Sequence, residues 1–529
     1  MVIRVLAVCL LLVSPALAST HAVPAGGDLQ AAIDAAQPGD IIELEPGATY
    51  TGNFRLTAKP GDAFIIIRTR TAPGELPGPG SRIDRAHAPW LAKLRSPNGS
   101  PALATVPGAH HWRVELVEFL PNATFTGDII AFGAGAGQTD LAQMPYQLVL
   151  DRVYVHGDPA RGQKRGLALN SGAAQVVNSH FEDFKVVGQE AQAIAGWNGT
   201  GPYLIENNYI EAAAQSVMFG GSDATVWNLV PSDITVRRNV FTKPLSWRSE
   251  RWLIKNGFEL KNARRVLVEG NIIEHVWAGG QNGYAVLFTV RNQDGRAPWS
   301  TIEDVTFRYN IIRNAGGAIN VVGIDNNHAS GQVRRLRIAD NLVYGIERRV
   351  WGGTGDFIQL GATPREVVIE HNTVIHDGIG FRLYGNPIES AIIRDNVLKH
   401  NTYGVKGDGT NNGNPTIARY LPGAVIERNV FAGGPAAQYP AGNYFPSLAE
   451  FEAQFVDLPG ENFAFVAGSL FSTAGANGRA LGADLALLHR VMGGAADAPG
   501  RLDDPDADQP GDTALTGQRR PRARPKPVG

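Results

Sequence analysis

The sequence predicts an all-β solenoid, on three observations. An apolar-x-apolar-x-x-Asn-x-apolar unit recurs along the chain, each unit alternates with period two, and glycine makes up 62 of 529 residues. Period-two alternation gives a strand with one buried face. Units that cannot bury that face alone stack on their copies, which is how solenoids build a core. Abundant glycine fits a turn-rich chain rather than a helical one.

At the N-terminus, MVIRVLAVCLLLVSPALAST places Arg4 before an apolar run from Val5 to Val13 and then Ala16-Leu17-Ala18. This is the layout of a secretory signal over residues 1–18, so a secreted or periplasmic protein is expected. No later run reaches the roughly 18 apolar residues of a spanning helix. The sole cysteine, Cys9, lies in that signal, which leaves the mature chain without disulfides or Cys metal sites. A net charge of −2 gives no basic excess for a nucleic-acid partner.

Asp28 is placed to N-cap a short amphipathic helix that ends before Pro38-Gly39. The repeat then reads YLIENNYI at Asn208, ITVRRNVF at Asn239, VLVEGNII at Asn271 and VTFRYNII at Asn310. It continues as LRIADNLV at Asn341, VVIEHNTV at Asn372, AIIRDNVL at Asn396 and AVIERNVF at Asn429. Spacings of 31, 32, 39, 31, 31, 24 and 33 residues fit one unit per coil with unequal loops. A weaker copy, QVVNSHF, has Ser179 in the Asn place. Asn at one turn of every coil can hydrogen-bond to the next, forming a ladder. A second strand follows each Asn: SVMF, GFEL, AVLF, AINV, FIQL, GFRL and YGVK. Residues 495–529, rich in Pro, Asp and Arg, read as a disordered tail.

The ladder, with the opening DLQAAIDAAQPGDIIELEPGATYTG, resembles the right-handed parallel β-helix superfamily of pectate-lyase type over residues 22–488. The resemblance implies a single-domain right-handed parallel β-helix whose N-terminal capping helix covers strand edges that would otherwise aggregate. It also implies that ENFAFVAGSLFSTAGANGRALGAD forms the last coils. Function stays open, because the superfamily hosts lyases, hydrolases, epimerases and adhesins.

Most charges follow the repeat. Six residues before successive Asn stand Asp233, Arg265, Asp304, Arg335 and Glu366; two before stand Glu206, Arg237, Glu269, Arg308, Ala339, Glu370, Arg394 and Glu427. Signs alternate coil by coil, so in-register stacking makes exposed ion-pair ladders. His371 and His376 flank a strand without metal-ligand spacing and read as surface residues. Glu259 and Lys261 break the rule. They point outward because Phe258 and Leu260 point in, and the matching outward places read Met218 and Gly220, Leu287 and Thr289, Asn320 and Val322, Gln359 and Gly361, Arg382 and Tyr384. Long loops beside this strip hold Trp227, Trp247, Trp252, Trp277, Trp299 and Trp351. Long loops tend to be functional, and aromatic rings suit sugars.

A hydrolase needs two carboxylates flanking the scissile bond; the strip offers Glu259, with Asp294 and Asp325 only on loops. A lyase of a uronate glycan needs a cation to neutralise the carboxylate, a base and an acid. FELKNARRVLVEGN followed by AVLFTVRNQ is similar to polysaccharide lyase family 6, the chondroitinase B and alginate lyase group. That resemblance implies Lys261 as base and Arg291 as the acid or neutralising group. Glu259 would orient Lys261. The family also carries calcium-holding carboxylates upstream of the lysine. Here RWLIKNG offers Asn256 and no acid, and calcium prefers several carboxylates, so no cofactor and no metal ligands are expected. The expected function is β-elimination of an acidic polysaccharide by a monomer, with Asn320, Gln359, Arg382, Tyr384 and the six tryptophans binding substrate. The alternative is a non-catalytic glycan-binding or cell-surface protein using the same groove.

Overall fold

The computed structural model describes residues 18–71 and 74–493. The expected signal, apart from Ala18, and the expected tail lie outside the described residues. The chain winds into a right-handed parallel β-helix. Its three parallel sheets have 14, 13 and 12 strands, called here the first, second and third sheets in the order a coil visits them. The sequence pattern marks the first-sheet and third-sheet strands. The second-sheet strand of each coil begins just after the Asn, so the Asn sits at a corner. One coil shows this: strand Gly201–Glu206 ends, Asn207 takes φ 56°, and strand Tyr209–Ala212 begins. The residue before each ladder Asn is left-handed throughout: Asn207, Arg238, Gly270, Tyr309, Asp340, His371, Asp395 and Arg428 have φ between 51° and 65°. Of these, Gly270 alone adopts that conformation without Cβ strain.

The ladder holds this corner. Asn239 Nδ2 donates to Asn271 Oδ1 and to the Ile205 carbonyl, both at 2.9 Å, and its backbone N–H donates to the same Oδ1 at 3.0 Å. The pattern repeats to Asn429 and extends to Asn443, whose Oδ1 accepts from Asn429 Nδ2 at 3.0 Å. At the other end the Ser179 N–H donates to Asn208 Oδ1 at 2.8 Å.

The charge ladders lie on the outer face of the first sheet. Arg265 pairs with Asp233 at 2.7 Å and Arg335 with Asp304 at 2.5 Å. Arg265 and Asp304 also lie in register, so Asp304 sits between two arginines but is bonded to one. The second column pairs Arg237 with Glu206 and Arg308 with Glu269, each at 2.9 Å.

Both ends of the coil are closed. Asp28 accepts from the Ala31 N–H at 2.9 Å and caps helix Leu29–Ala35, which buries Leu29 and Ile33. At the far end helix Asn414–Tyr420 lays Tyr420 over Gly407, where a Cβ would come within 2.4 Å of the ring. The last coil ends at strand Val430–Ala432. Residues 461–484 are therefore not coils. The hairpin Phe455–Asp457 and Asn462–Phe465 and the helix Leu485–Met492 run back over the second sheet. There Phe451, Phe463, Leu488 and Met492 bury its outward column of Val240, Ile272, Ile311, Leu342, Val397 and Val430. A column of outward apolar residues needs such a cover. His371 and His376 are buried, not on the surface.

The N-terminal half of the second sheet carries ionisable groups instead. Glu182 pairs with His180 at 2.9 Å and accepts from the Tyr154 hydroxyl, while the Tyr209 hydroxyl donates to Glu211 at 2.6 Å. Burial, and then the charge of Glu182, push the Glu211 carboxyl up to about 8.

Two outcomes follow from this architecture. Asn310→Ala strips the buried acceptor from Asn271 and should cost about 2–4 kcal/mol, whereas Asp304→Lys should cost no more than about 1 kcal/mol at its exposed site. Urea denaturation separates them, and equal losses would refute the ladder's dominance. Between its ordinary 4.5 and about 8, folded Glu211 keeps a proton that the unfolded chain has lost. Its stabilisation is complete below 4.5 and disappears as pH rises through about 8. The melting temperature should fall over that range in the wild type and fall less in Glu211→Gln.

Candidate functional site

The first sheet's outer face is occupied by paired charges, and much of the second sheet's is covered by chain. The third sheet remains. Its central outward column runs Met218, Glu259, Leu287, Asn320, Gln359, Arg382 and Lys406 in register over consecutive coils. At strand spacing of about 4.8 Å, that column can follow an extended polymer.

Glu259 is the centre of the polar part and is 1% exposed. One oxygen accepts from Gln215 Nε2 at 2.8 Å and Asn256 Nδ2 at 3.4 Å. The other accepts from Thr289 Oγ1 at 3.4 Å and faces Lys261 Nζ at 3.5 Å. Three neutral donors and one ammonium thus hold a carboxylate that burial alone would penalise. The Arg291 backbone N–H donates to the Lys261 carbonyl at 3.0 Å, so the two residues leave the sheet side by side. The Arg291 guanidinium turns to buried Asp325 at 3.0 Å.

Further along the strip a second cluster forms. Arg382 Nε donates to Asp356 at 2.6 Å, and the Tyr284 hydroxyl lies within hydrogen-bond distance of both Asp356, at 3.1 Å, and Gln359, at 3.0 Å. Tyr384 lies across Gly361, where a Cβ would meet its ring at 1.9 Å. Asn320 Oδ1 is buried with no hydrogen-bond partner among the described residues. Asp294 stays on its loop, paired with Arg296 at 2.6 Å.

The tryptophans divide, and most correct the expectation of an aromatic groove. Trp247, Trp277 and Trp351 are buried and cluster with Trp252, Ala213 and Ile254. Lys185 Nζ stands 4.8 Å from the Trp247 ring and 5.2 Å from that of Trp252, and Arg248 lies 5.0 Å from Trp351. These rings anchor the loops at 242–256, 274–284 and 344–355 to one another. The physical reason is that long loops need an apolar core of their own. On the opposite wall Trp227 is 79% exposed and meets Trp299 edge-on at 4.7 Å. Trp299 is tied by its ring N–H to the Leu229 carbonyl at 3.0 Å.

Sequence reasoning missed Glu190, Gln215 and Lys255. Glu190 pairs with Lys255, and Gln215 Nε2 lies 3.1 Å from Glu190 and 2.8 Å from Glu259. A chain Lys255–Glu190–Gln215–Glu259–Lys261 therefore crosses the coils, with the neutral Gln215 amide joining two lysine-paired carboxylates. Burial would raise the Glu190 carboxyl, but Lys255, Lys261 and Gln215 outweigh it and hold it below its usual range. Their side chains come from different coils, and nothing in the local spacing joins them. The donor set does not fit calcium: the cluster has two carboxylates, each already paired to an ammonium group. Among the described residues no group of three or more His, Cys, Asp or Glu is disposed to hold a metal ion.

No family model and no curated protein matches the chain. Solved structures do resemble it. One is a mannuronic-acid-specific polysaccharide family 6 lyase from human gut microbiota, at 12% identity and TM-score 0.45, covering 82% of this chain and 92% of that one. A second is the family 6 alginate lyase AlyGC, at 16% identity and TM-score 0.42, covering 81% of this chain and 53% of that one. A third is the catalytic unit of a GH87 α-1,3-glucanase from Streptomyces thermodiastaticus, at 13% identity and TM-score 0.44, covering 82% of this chain and 70% of that one. These likenesses concern the fold. No helix among the described residues is long and apolar enough to cross a membrane.

Gln215→Leu tests the cluster directly. It leaves buried Glu259 without its shortest donor and should cost about 1–3 kcal/mol in chemical denaturation. An unchanged midpoint would show that Gln215 does not hold Glu259.

Proposed function

We propose that this exported protein acts on a uronate-containing polysaccharide in the third-sheet groove, cleaving it by β-elimination. The observation that carries this reading is the Glu259–Lys261 pair. It stands apart from the ion-pair ladders, on the outer side of the third sheet, with its carboxylate held by Gln215, Asn256 and Thr289. In the reaction Lys261 first gives up its ammonium proton to water, and its amine then takes the proton α to the uronate carboxyl. The freed electron pair forms a carbon–carbon double bond as the glycosidic carbon–oxygen bond β to the carboxyl breaks. The leaving oxygen takes a proton. Glu259 orients Lys261, and Arg291 neutralises the carboxylate or protonates the leaving group. Glu259 and Glu190 do not make a hydrolase pair, because such a pair needs one protonated carboxyl and each of these is paired with a lysine, Glu259 with Lys261 and Glu190 with Lys255.

Arg382 and Lys406 continue the cationic strip along the groove, and exposed Trp227 offers one ring face to a sugar. One observation favours a binding role without catalysis: Arg291 is already committed to Asp325. A screen of alginate, pectate and glycosaminoglycans for the absorbance of an unsaturated product separates the two. On the active polymer Lys261→Ala should abolish turnover while polymer binding persists, with a lowered melting temperature because buried Glu259 loses its ammonium partner. Retained turnover in Lys261→Ala would remove it as the base, and polymer binding with no turnover by the wild type would leave the binding protein.

A further inference from the structure

Four cations of the strip meet a carboxylate of the protein itself. Lys261 faces Glu259, Arg291 faces Asp325, Arg382 faces Asp356 and Lys255 faces Glu190. An anionic ligand must compete with these partners, and burial decides which of them can be displaced. The side chains of Glu259, Asp325 and Asp356 are 1%, 0% and 0% exposed, whereas that of Glu190 is 36% exposed. A buried carboxylate that lost its cation would be stranded in low dielectric. Glu190 would turn into water. It sits on the segment 186–191, where Val187 is 58% exposed and Gly188 has open space around it.

What Glu190 leaves behind is a formed carboxylate site. The Lys255 ammonium, whose side chain is 9% exposed, and Gln215 Nε2, 3.1 Å from Glu190, would both be without that partner. Lys255 is fixed from two sides: its N–H donates to the Ala213 carbonyl at 3.0 Å, and its neighbour Asn256 accepts at its carbonyl from buried Lys243 at 3.1 Å. The Gln215 amide also bonds Glu259 at 2.8 Å, so the vacated place adjoins the Glu259–Lys261 pair.

We propose that Lys255, with Gln215, is the receptor for the ligand's uronate carboxylate, and that Glu190 occupies this receptor in the free protein and is exchanged for the sugar carboxylate on binding. This rests on the groove being the glycan site, but not on turnover there. It makes Glu190 a specificity element: a neutral sugar offers nothing to replace it on Lys255, so the pair stays closed. Lys255 then serves as the neutralising charge beside Lys261.

The test is calorimetric titration of wild type, Glu190→Gln, Lys255→Met and Lys255→Arg with D-glucuronate and with alginate and polygalacturonate oligosaccharides. Neutral cello-oligosaccharides are the control. Glu190→Gln keeps the side-chain shape and removes the competing charge, so uronate binding should tighten roughly tenfold with no gain for the neutral control. Lys255→Met should weaken it by about tenfold or more, and Lys255→Arg should retain most of it. Uronate binding by Glu190→Gln that is unchanged, weaker or undetectable overturns the proposal, as does undiminished binding by Lys255→Met in a variant that melts like wild type. Tightened binding in Glu190→Gln with no turnover of any polymer sinks the lyase reading and leaves this one standing.

Discussion

The Asn ladder is the constraint on which the rest depends. From Asn208 to Asn429 each corner between the first and second sheets carries a left-handed residue and a buried Asn whose amide bonds the next Asn and a carbonyl of the preceding coil. Leaving such groups unpaired in the core would cost more than any surface pair in the protein returns. The ladder therefore fixes how far each coil is shifted against the next. Once that register is set, residues far apart in sequence fall into columns: Asp233 under Arg265, Val240 under Ile272, Met218 under Glu259.

The three columns meet three different ends. On the first sheet, opposite charges neutralise one another in the open. On the second, apolar side chains are buried by the returning C-terminal segment, and ionisable ones form the network around Glu182 and Glu211. On the third, charge pairs are sunk among amides and hydroxyls, flanked by loops that hold themselves up with buried tryptophans. The same solenoid thus uses one face for cohesion and one for cover, and the third carries the site proposed above.

Charge balance governs that third face. Its cations are not free, and attraction of a polyanion cannot be read from their number. What differs among the pairs is the exposure of the acidic partner, and this singles out Glu190. The buried acids at positions 259, 325 and 356 act as fixtures that aim Lys261, Arg291 and Arg382.

By itself the sequence determined the repeat, the inward and outward alternation, the alternating ladders and the cap at Asp28, because each is written either in residues a few positions apart or at the same place in successive units. It located Glu259 and Lys261 by the same rule, as charges that break a ladder. Tertiary structure decided what depends on distant coils meeting. The second-sheet strands were hidden because the Asn corner interrupts their alternation. The segment 461–484 carries coil-like apolar residues, yet it packs outside because the last coil is already capped by Tyr420. Tryptophan in a long loop has the same local signature whether it faces a sugar or another loop, and only packing separated Trp227 from Trp277. Lys255, Glu190 and Gln215 come together across coils whose loops differ in length, so no spacing in the chain could announce that they touch.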